Sequence, residues 1–164
     1  MKHEQGFSML EVLIAMLIIL IGILGTAGIQ MLAVQSTGWA QYQSQAALLA
    51  SSMGAAMRQN TAYWAVTAPS STITINGTSI SPTIAAGTCG SGVCSPSEQA
   101  GYDLSNWGSA VAKALPSGTA TVDCPNTNTP VTCTLTITWN ASSTGVYAKG
   151  NSTTLSYSTL VGLQ

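Results

Sequence analysis

The sequence feature that most limits the possible folds of this chain is an uninterrupted apolar run near its N-terminus. From Val12 to Ile29 there are 18 consecutive residues without a charge or a side-chain amide. As a helix rising about 1.5 Å per residue, the run spans roughly 27 Å, enough to cross the hydrocarbon core of a bilayer. Lys2 precedes the run and the next basic residue is Arg58. The positive-inside rule therefore places residues 1–6 in the cytoplasm and the rest of the chain outside.

A cleaved secretory signal is the main alternative interpretation of this run. The apolar region of such a signal normally has about 7–15 residues, fewer than are present here. A carboxylate, Glu11, also stands at the entrance of the run. Both observations favour a retained membrane helix.

The helical pattern continues beyond the apolar run. No proline occurs before Pro69. A mainly apolar set of residues now recurs at steps of three or four, as on one face of a helix. That face contains Leu32, Ser36, Trp39, Gln43, Ala46, Leu49 or Ala50, Met53 and Met57. We predict one helix over about 10–60, roughly 75 Å long. The part of this helix before residue 31 lies in the membrane, and residues 31–60 form an amphipathic half that covers a globular domain, residues 61–164.

The globular part has the pattern of an α+β domain with a small antiparallel sheet. Alternation around Asn76-Gly77 predicts a hairpin with a type I′ turn. A short helix is expected from Asp103, its N-cap, to Leu115. Three alternating segments then predict strands: Thr119–Cys124, Val131–Trp139 and Ser152–Tyr157. The order of elements, with the long helix first and the sheet after it, predicts that the helix packs on the sheet.

Four cysteines form an even set in the part of the chain expected outside the membrane: Cys89, Cys94, Cys124 and Cys133. In an oxidising compartment such a set predicts two disulfides. Of the three connectivities we favour Cys89–Cys94 and Cys124–Cys133, because the second pair brackets a turn between two strands expected to be neighbours. A zinc site is the alternative, but the spacing within these pairs does not fit a zinc motif and no histidine lies nearby.

Charge and histidine content argue against catalysis. Only 5% of the residues are charged, the net charge is -1, and no basic cluster is present, so no direct nucleic-acid binding is expected. The single histidine, His3, lies in the predicted cytoplasmic end, which leaves few routes to general-base or metal chemistry. Glu98 and Asp103 are close in sequence, but we interpret them as solvated residues. The sequence predicts no enzyme activity, cofactor or metal.

The N-terminus carries the most specific motif, Gly6-Phe7-Ser8-Met9-Leu10-Glu11, after the polar stretch MKHEQ. This segment closely resembles the type III signal of type IV prepilins. The resemblance implies a leader of residues 1–6 that prepilin peptidase removes between Gly6 and Phe7. It also implies that Phe7 becomes the N-methylated first residue of the mature chain.

Glu11 has a physical role to fill in such a protein. A carboxylate at the head of a membrane helix is unfavourable without a partner. Cleavage before Phe7 creates an α-amino group one turn away, on the same helix or on a neighbouring subunit. The resemblance implies the second arrangement, in which Glu11 neutralises the Phe7 amine of an adjacent subunit during assembly.

Beyond residue 30 the chain is similar to minor pilins of the PilV type. The similarity rests on Leu104-Ser105-Asn106-Trp107 and on Leu135-Thr136-Ile137-Thr138-Trp139, which we expect to be core and sheet residues. A proline common in major pilins would fall near Gly28 and is absent. The resemblance implies a low-copy subunit that enters or primes a pilus serving twitching motility, adhesion or DNA uptake. The alternatives are a minor pseudopilin of a type II secretion system and a membrane-anchored adhesin or ligand-binding domain.

These resemblances also imply partners and a location. The partners would be prepilin peptidase and other major and minor pilins, which the N-terminal helix contacts. Before assembly the protein would cross the bacterial inner membrane once, with its C-terminus in the periplasm. After assembly it would lie in the pilus fibre, near the tip.

Overall fold

A computed structural model of the chain describes residues 8–66, 68, 71–87, 89, 92–125, 130–142 and 152–163. The fold is α+β, with a long N-terminal helix and a five-stranded antiparallel sheet. The chain divides into two compact units, Met1–Gly38 and Trp39–Gln164. We call them the N-terminal unit and the C-terminal unit.

Helix α1 runs from Met9 to Gln59, which confirms the long helix predicted over 10–60. Its ends carry charges that suit the helix dipole, with Glu11 in the first turn and Arg58 in the last. Four residues, Thr61–Trp64, form a separate short helix, α2. The sequence did not predict α2, because a single turn has too few residues to show a periodic pattern.

The sheet has the strand order β2-β1-β3-β4-β5, and every neighbouring pair is antiparallel. The strands are β1 Ile73–Asn76, β2 Ser79–Ser81, β3 Thr119–Asp123, β4 Val131–Ser142 and β5 Ser152–Leu163. The three predicted C-terminal strands are therefore present. The starts predicted for β4 and β5 are confirmed, but both strands extend beyond their predicted C-terminal ends. The two strands pair over 12 residues each, from Val131↔Leu163 to Ser142↔Ser152.

Strand β4 shows why the sheet has one buried face. Its residues alternate between buried apolar side chains and partly exposed threonines, as the sequence predicted. The buried set is Val131, Cys133, Leu135, Ile137 and Trp139. The far end of β5 was missed because Leu160 and Gly162 occupy its solvent-facing positions, so no polar alternation continues past Tyr157.

The second half of α1 packs against this buried face. Ala46, Ala50, Met53 and Met57 are each no more than 1% exposed and belong to the same core as the sheet residues. A Cβ placed on Gly54 would lie 3.2 Å from Cγ2 of Val161 in β5. The absence of a side chain at Gly54 thus allows Val161 of β5 to lie close to α1 at this point.

The third helix, α3, spans Pro96–Ala114, so the predicted start at Asp103 was wrong. Ser95 caps the helix instead, with Pro96 in the first turn and Glu98 completing a capping box. Such a box satisfies backbone N–H groups that would otherwise lack partners at the helix start. Asp103 lies inside α3, where its Oδ1 accepts a 2.8 Å hydrogen bond from Nε2 of Gln99.

The hairpin between β1 and β2 is present, but its turn differs from the predicted type I′ turn. Asn76 is still paired with Ser79 in the ladder, so Gly77 and Thr78 are the two turn residues. Only Gly77 has a positive φ, +58°, and glycine at the first turn position is typical of a type II′ turn. The prediction was wrong by one residue because Gly77 is the first of the two turn residues, whereas a type I′ turn of Asn-Gly would have it second.

Candidate assembly site and the framework of the C-terminal unit

The candidate assembly site lies at the start of α1. The structure describes this region from Ser8 onward, so Gly6 and Phe7 lie outside the described residues. The backbone N–H groups of Glu11 and Val12 donate to the carbonyl oxygen of Ser8, at 3.0 and 3.3 Å. These bonds close the first turn of α1, which begins after Ser8, and place Glu11 in that turn, where the positive end of the helix dipole favours a carboxylate. The side chain of Glu11 is exposed.

The apolar segment that contains Glu11 is exposed along its whole described length. Met9–Gln30 is long and apolar enough to cross a membrane by length and composition, with a mean hydropathy of 2.8 and no residue of it buried. Leu24 is 73% exposed and Leu13 is 69% exposed. A continuous apolar surface of this size marks contact with a membrane or with other proteins.

The cysteines are joined as Cys89–Cys94, with 5.5 Å between their Cα atoms, and Cys124–Cys133, with 4.2 Å. These are the two pairs favoured from the sequence. Cys124 follows β3 and Cys133 lies in β4, and both are buried in the core. Among the residues that the structure describes, no group of three or more His, Cys, Asp or Glu side chains is placed to hold a metal ion.

The Cys89–Cys94 disulfide leads directly into the start of α3. Cys94 precedes the capping residue Ser95, and the backbone N–H of Gly87 donates to the carbonyl oxygen of Glu98. A Cβ on Gly87 would meet both sulfur atoms, at 3.0 and 3.2 Å. The absence of a side chain at residue 87 therefore lets the loop pass between the disulfide and the helix.

The two carboxylates of α3 differ in their environments. Glu98 accepts hydrogen bonds from the hydroxyl of Ser95 at 2.7 Å and from its backbone N–H at 2.9 Å, and these bonds lower the pKa of Glu98. Partial burial raises the pKa of Asp103, against the smaller lowering effect of its bond from Gln99. Glu98 is thus a structural residue of the helix cap, which the S-x-x-E spacing before an apolar pattern signals in the sequence.

The apolar residues of the two segments that carried the similarity beyond position 30 belong to the core. Leu104 is fully buried and Trp107 is 6% exposed. The Nε1–H of Trp107 donates to the carbonyl oxygen of Leu49 at 2.8 Å and so ties α3 to α1. Trp107 thus helps to hold α3 against α1.

Comparison with known proteins agrees with the N-terminal motif. The family described as "Prokaryotic N-terminal methylation motif" matches residues 1–27. No curated protein and no solved structure matches the chain. With the exposed apolar helix and the α+β fold, this match supports a membrane-anchored structural subunit of the prepilin class rather than an enzyme. More narrowly, it supports a type IV pilin-like protein, a pilin or a pseudopilin, processed by prepilin peptidase and assembled with other pilins.

Proposed function

We propose that the protein is a minor type IV pilin, cleaved by prepilin peptidase between Gly6 and Phe7 and then incorporated into a pilus or used to prime one. The observation that carries the proposal is the methylation motif over residues 1–27, which overlaps the exposed apolar segment of α1, Met9–Gln30. In this proposal residues 1–6 are the leader and Phe7 carries the N-methyl group. Residues 7–30 form the membrane and assembly half, residues 31–60 the amphipathic half, and residues 61–164 the globular part.

The minor role rests on two features of the sequence. No proline interrupts the first 68 residues, whereas major pilins commonly have one near the position of Gly28. The Leu104–Trp107 and Leu135–Trp139 segments are similar to minor pilins of the PilV type. A minor pseudopilin of a type II secretion system shares the methylation motif and remains the alternative role.

Within the fibre, we propose that Glu11 pairs with the Phe7 amine of a neighbouring subunit. Two facts support this: the Glu11 side chain is exposed in the first turn of α1, and an unpaired charge within a membrane helix is unfavourable by about 2.5–3.5 kcal/mol at the bilayer centre and less near the interface. Assembly would supply the missing positive partner. The pairing would also fix the axial register of one helix against the next.

The first test separates assembly from processing. Glu11→Ala is expected to leave cleavage before Phe7 intact, because the peptidase acts on the preceding bond, but to reduce the amount of the subunit in sheared fibres at least about tenfold, the effect of losing roughly 1.4 kcal/mol. Mass spectrometry of the membrane fraction measures cleavage, and immunoblots of sheared fibres measure incorporation. Met9→Ala, an exposed neutral residue of the same turn, is the matched control. Wild-type incorporation of Glu11→Ala would refute the pairing.

A further inference from the structure

The two edges of the sheet are protected to very different degrees. At one edge, β2 has only three residues, Ser79–Ser81, and is followed by Pro82, which has no backbone N–H. At the other edge, β5 has 12 residues, Ser152–Leu163, with no charge and no proline among them. Shortness, proline and charge are the usual devices that prevent an edge strand from pairing with another chain. Strand β5 has none of these devices.

A groove lies beside the C-terminal half of β5, at its free edge. It is lined on one side by Tyr157, Thr159, Leu160 and Val161, and on the other by residues of α1, and no residue of β4 contributes to it. Thr159 and Leu160 point to opposite faces of the sheet because successive side chains alternate. A groove that touches both must therefore lie at the strand's edge rather than on either face.

The α1 wall of the groove consists of small side chains. It is formed by Ala47, Ala50, Ser51 and Gly54, with Arg58 at the end. Among the described residues, the backbone hydrogen bonds of β5 go only to β4. The free edge thus has unpaired backbone groups, with room beside them for one more extended segment.

Arg58 gives the groove a charge preference. Its side chain is exposed, and its Nη1 atom lies 3.8 Å from the position that a Cβ on Gly54 would occupy. Within the described parts of the chain, no carboxylate forms an ion pair with Arg58. A guanidinium offers several donors in a fixed geometry that suits a carboxylate. A segment bound in this groove would therefore be selected for an acidic side chain.

We propose that the β5 edge is a docking site for an extended segment of another polypeptide that carries one acidic residue. The segment adds to the sheet as a sixth strand, pairs its backbone with β5, covers the small side chains of α1 and places its carboxylate on Arg58. Backbone pairing supplies most of the affinity in such strand addition, and the side chains supply selectivity. The proposal does not depend on the minor-pilin role.

The test uses the full-length protein in detergent and fluorescent synthetic peptides as probes. Each peptide has 12 residues, the length of β5, of alternating threonine and valine on a soluble glycine-serine tail, with a single glutamate placed at a different position in each. Fluorescence anisotropy measures binding. At least one peptide is expected to bind saturably, and replacing its glutamate by glutamine is expected to weaken binding roughly fivefold, as for a partly exposed ion pair.

Substitutions in the protein locate the binding site. Arg58→Gln is expected to weaken binding of the glutamate peptide to the level of its glutamine counterpart. Lys113 is an exposed cation of α3, and Lys113→Gln is expected to leave binding unchanged. Leu160→Lys adds a charge to the free edge and is expected to reduce binding. Leu48→Lys is its matched control on α1, because both leucines are 69% exposed.

Backbone methylation tests strand addition itself. Two versions of the binding peptide carry N-methyl groups on one or the other set of alternate amides. Since only one edge of an added strand faces β5, one version should lose binding and the other should keep it. Equal behaviour of the two versions, absence of binding by every glutamate peptide, or equal effects of Arg58→Gln and Lys113→Gln would each overturn the proposal.

Discussion

At the scale of single residues, the start of α3 depends on one hydroxyl. Ser95 Oγ accepts from the backbone N–H of Glu98, while Glu98 accepts from Ser95. Ser95→Ala removes the first of these bonds, together with the bond that the Ser95 hydroxyl donates to Glu98, and is expected to lower the free energy of unfolding by about 1 kcal/mol. Ser52→Ala is the control, because Ser52 lies within α1 and is exposed, and alanine is the better helix former there. Thermal unfolding followed by near-ultraviolet circular dichroism measures both. An unchanged melting temperature for Ser95→Ala would contradict the capping role.

The capping box also predicts a pH dependence. The hydrogen bonds from Ser95 lower the pKa of Glu98 in the folded state, so the unfolded chain binds a proton more readily in acid. The stabilisation from Glu98 is therefore present above the unfolded pKa, and it is lost as the pH falls through the lowered folded value. Glu98→Gln should be less stable than wild type at pH 7, and the difference should shrink on acidification. A difference that grows in acid would contradict this assignment.

The raised pKa of Asp103 predicts the opposite dependence of stability on pH. Burial raises its pKa in the folded state, so its contribution is most favourable below the unfolded pKa and is lost as the pH rises through the folded value. Asp103→Asn keeps an oxygen for Gln99 but removes the ionisation. The substitution is expected to raise the free energy of unfolding at pH 7 by roughly a few tenths of a kcal/mol, a small effect because the carboxylate is only partly buried, and to have little effect in acid. A lower melting temperature at pH 7 would show that the charge is stabilising.

At the scale of elements, the hairpin and α3 are in direct contact at a glycine. A Cβ on Gly108 would clash with the backbone oxygen of Gly77 and with Cγ2 of Ile75. Because a backbone atom cannot move aside cheaply, Gly108→Ala is expected to destabilise the protein by about 1–3 kcal/mol. Gly162→Ala, at a position with no atom within 4 Å of the added carbon, is the control. Equal melting temperatures for the two variants would show that the hairpin does not rest on α3 at this point.

The elements that the sequence predicted well are those whose hydrophobic pattern repeats over many residues. The helix α1 and the strand β4 repeat their patterns over many residues, so both were found near their true positions. The errors occurred where a local signal decided the boundary. Asp103 is an acceptable cap by residue type, but Ser95-Pro96-Ser97-Glu98 supplies a complete capping box earlier in the chain. The free edge of β5 could not be predicted, because strand order in a sheet depends on tertiary packing.

The assembly site at Glu11 and the groove beside β5 were predictable from the sequence to different degrees. Glu11 follows from its position at the head of an apolar helix, and its exposure in the first turn agrees with that reasoning. Its partner belongs to another subunit in our proposal, so no single chain contains the complete site. The groove beside β5 has no sequence signature, because it joins residues about 100 positions apart that only the fold brings together.

At the scale of the whole molecule, the two units have separate tasks in our account. The N-terminal unit contains the methylation motif and the apolar segment, and it accounts for membrane anchoring and assembly. The C-terminal unit has its own core and two disulfides, as suits a domain folded in an oxidising compartment. The central claim concerns the first unit, since every assembly step depends on how its N-terminus is processed.

The most direct test of that claim is mass spectrometry of the N-terminus of the protein isolated from its membrane. Our account predicts a mature chain that begins at Phe7, with a methyl group on its α-amino nitrogen and with residues 1–6 absent. The same sample from cells without prepilin peptidase should begin at residue 1 or 2. A mature chain that retains Met1, or one cleaved after Ala27 or Ala33 as a secretory signal would be, would contradict the account.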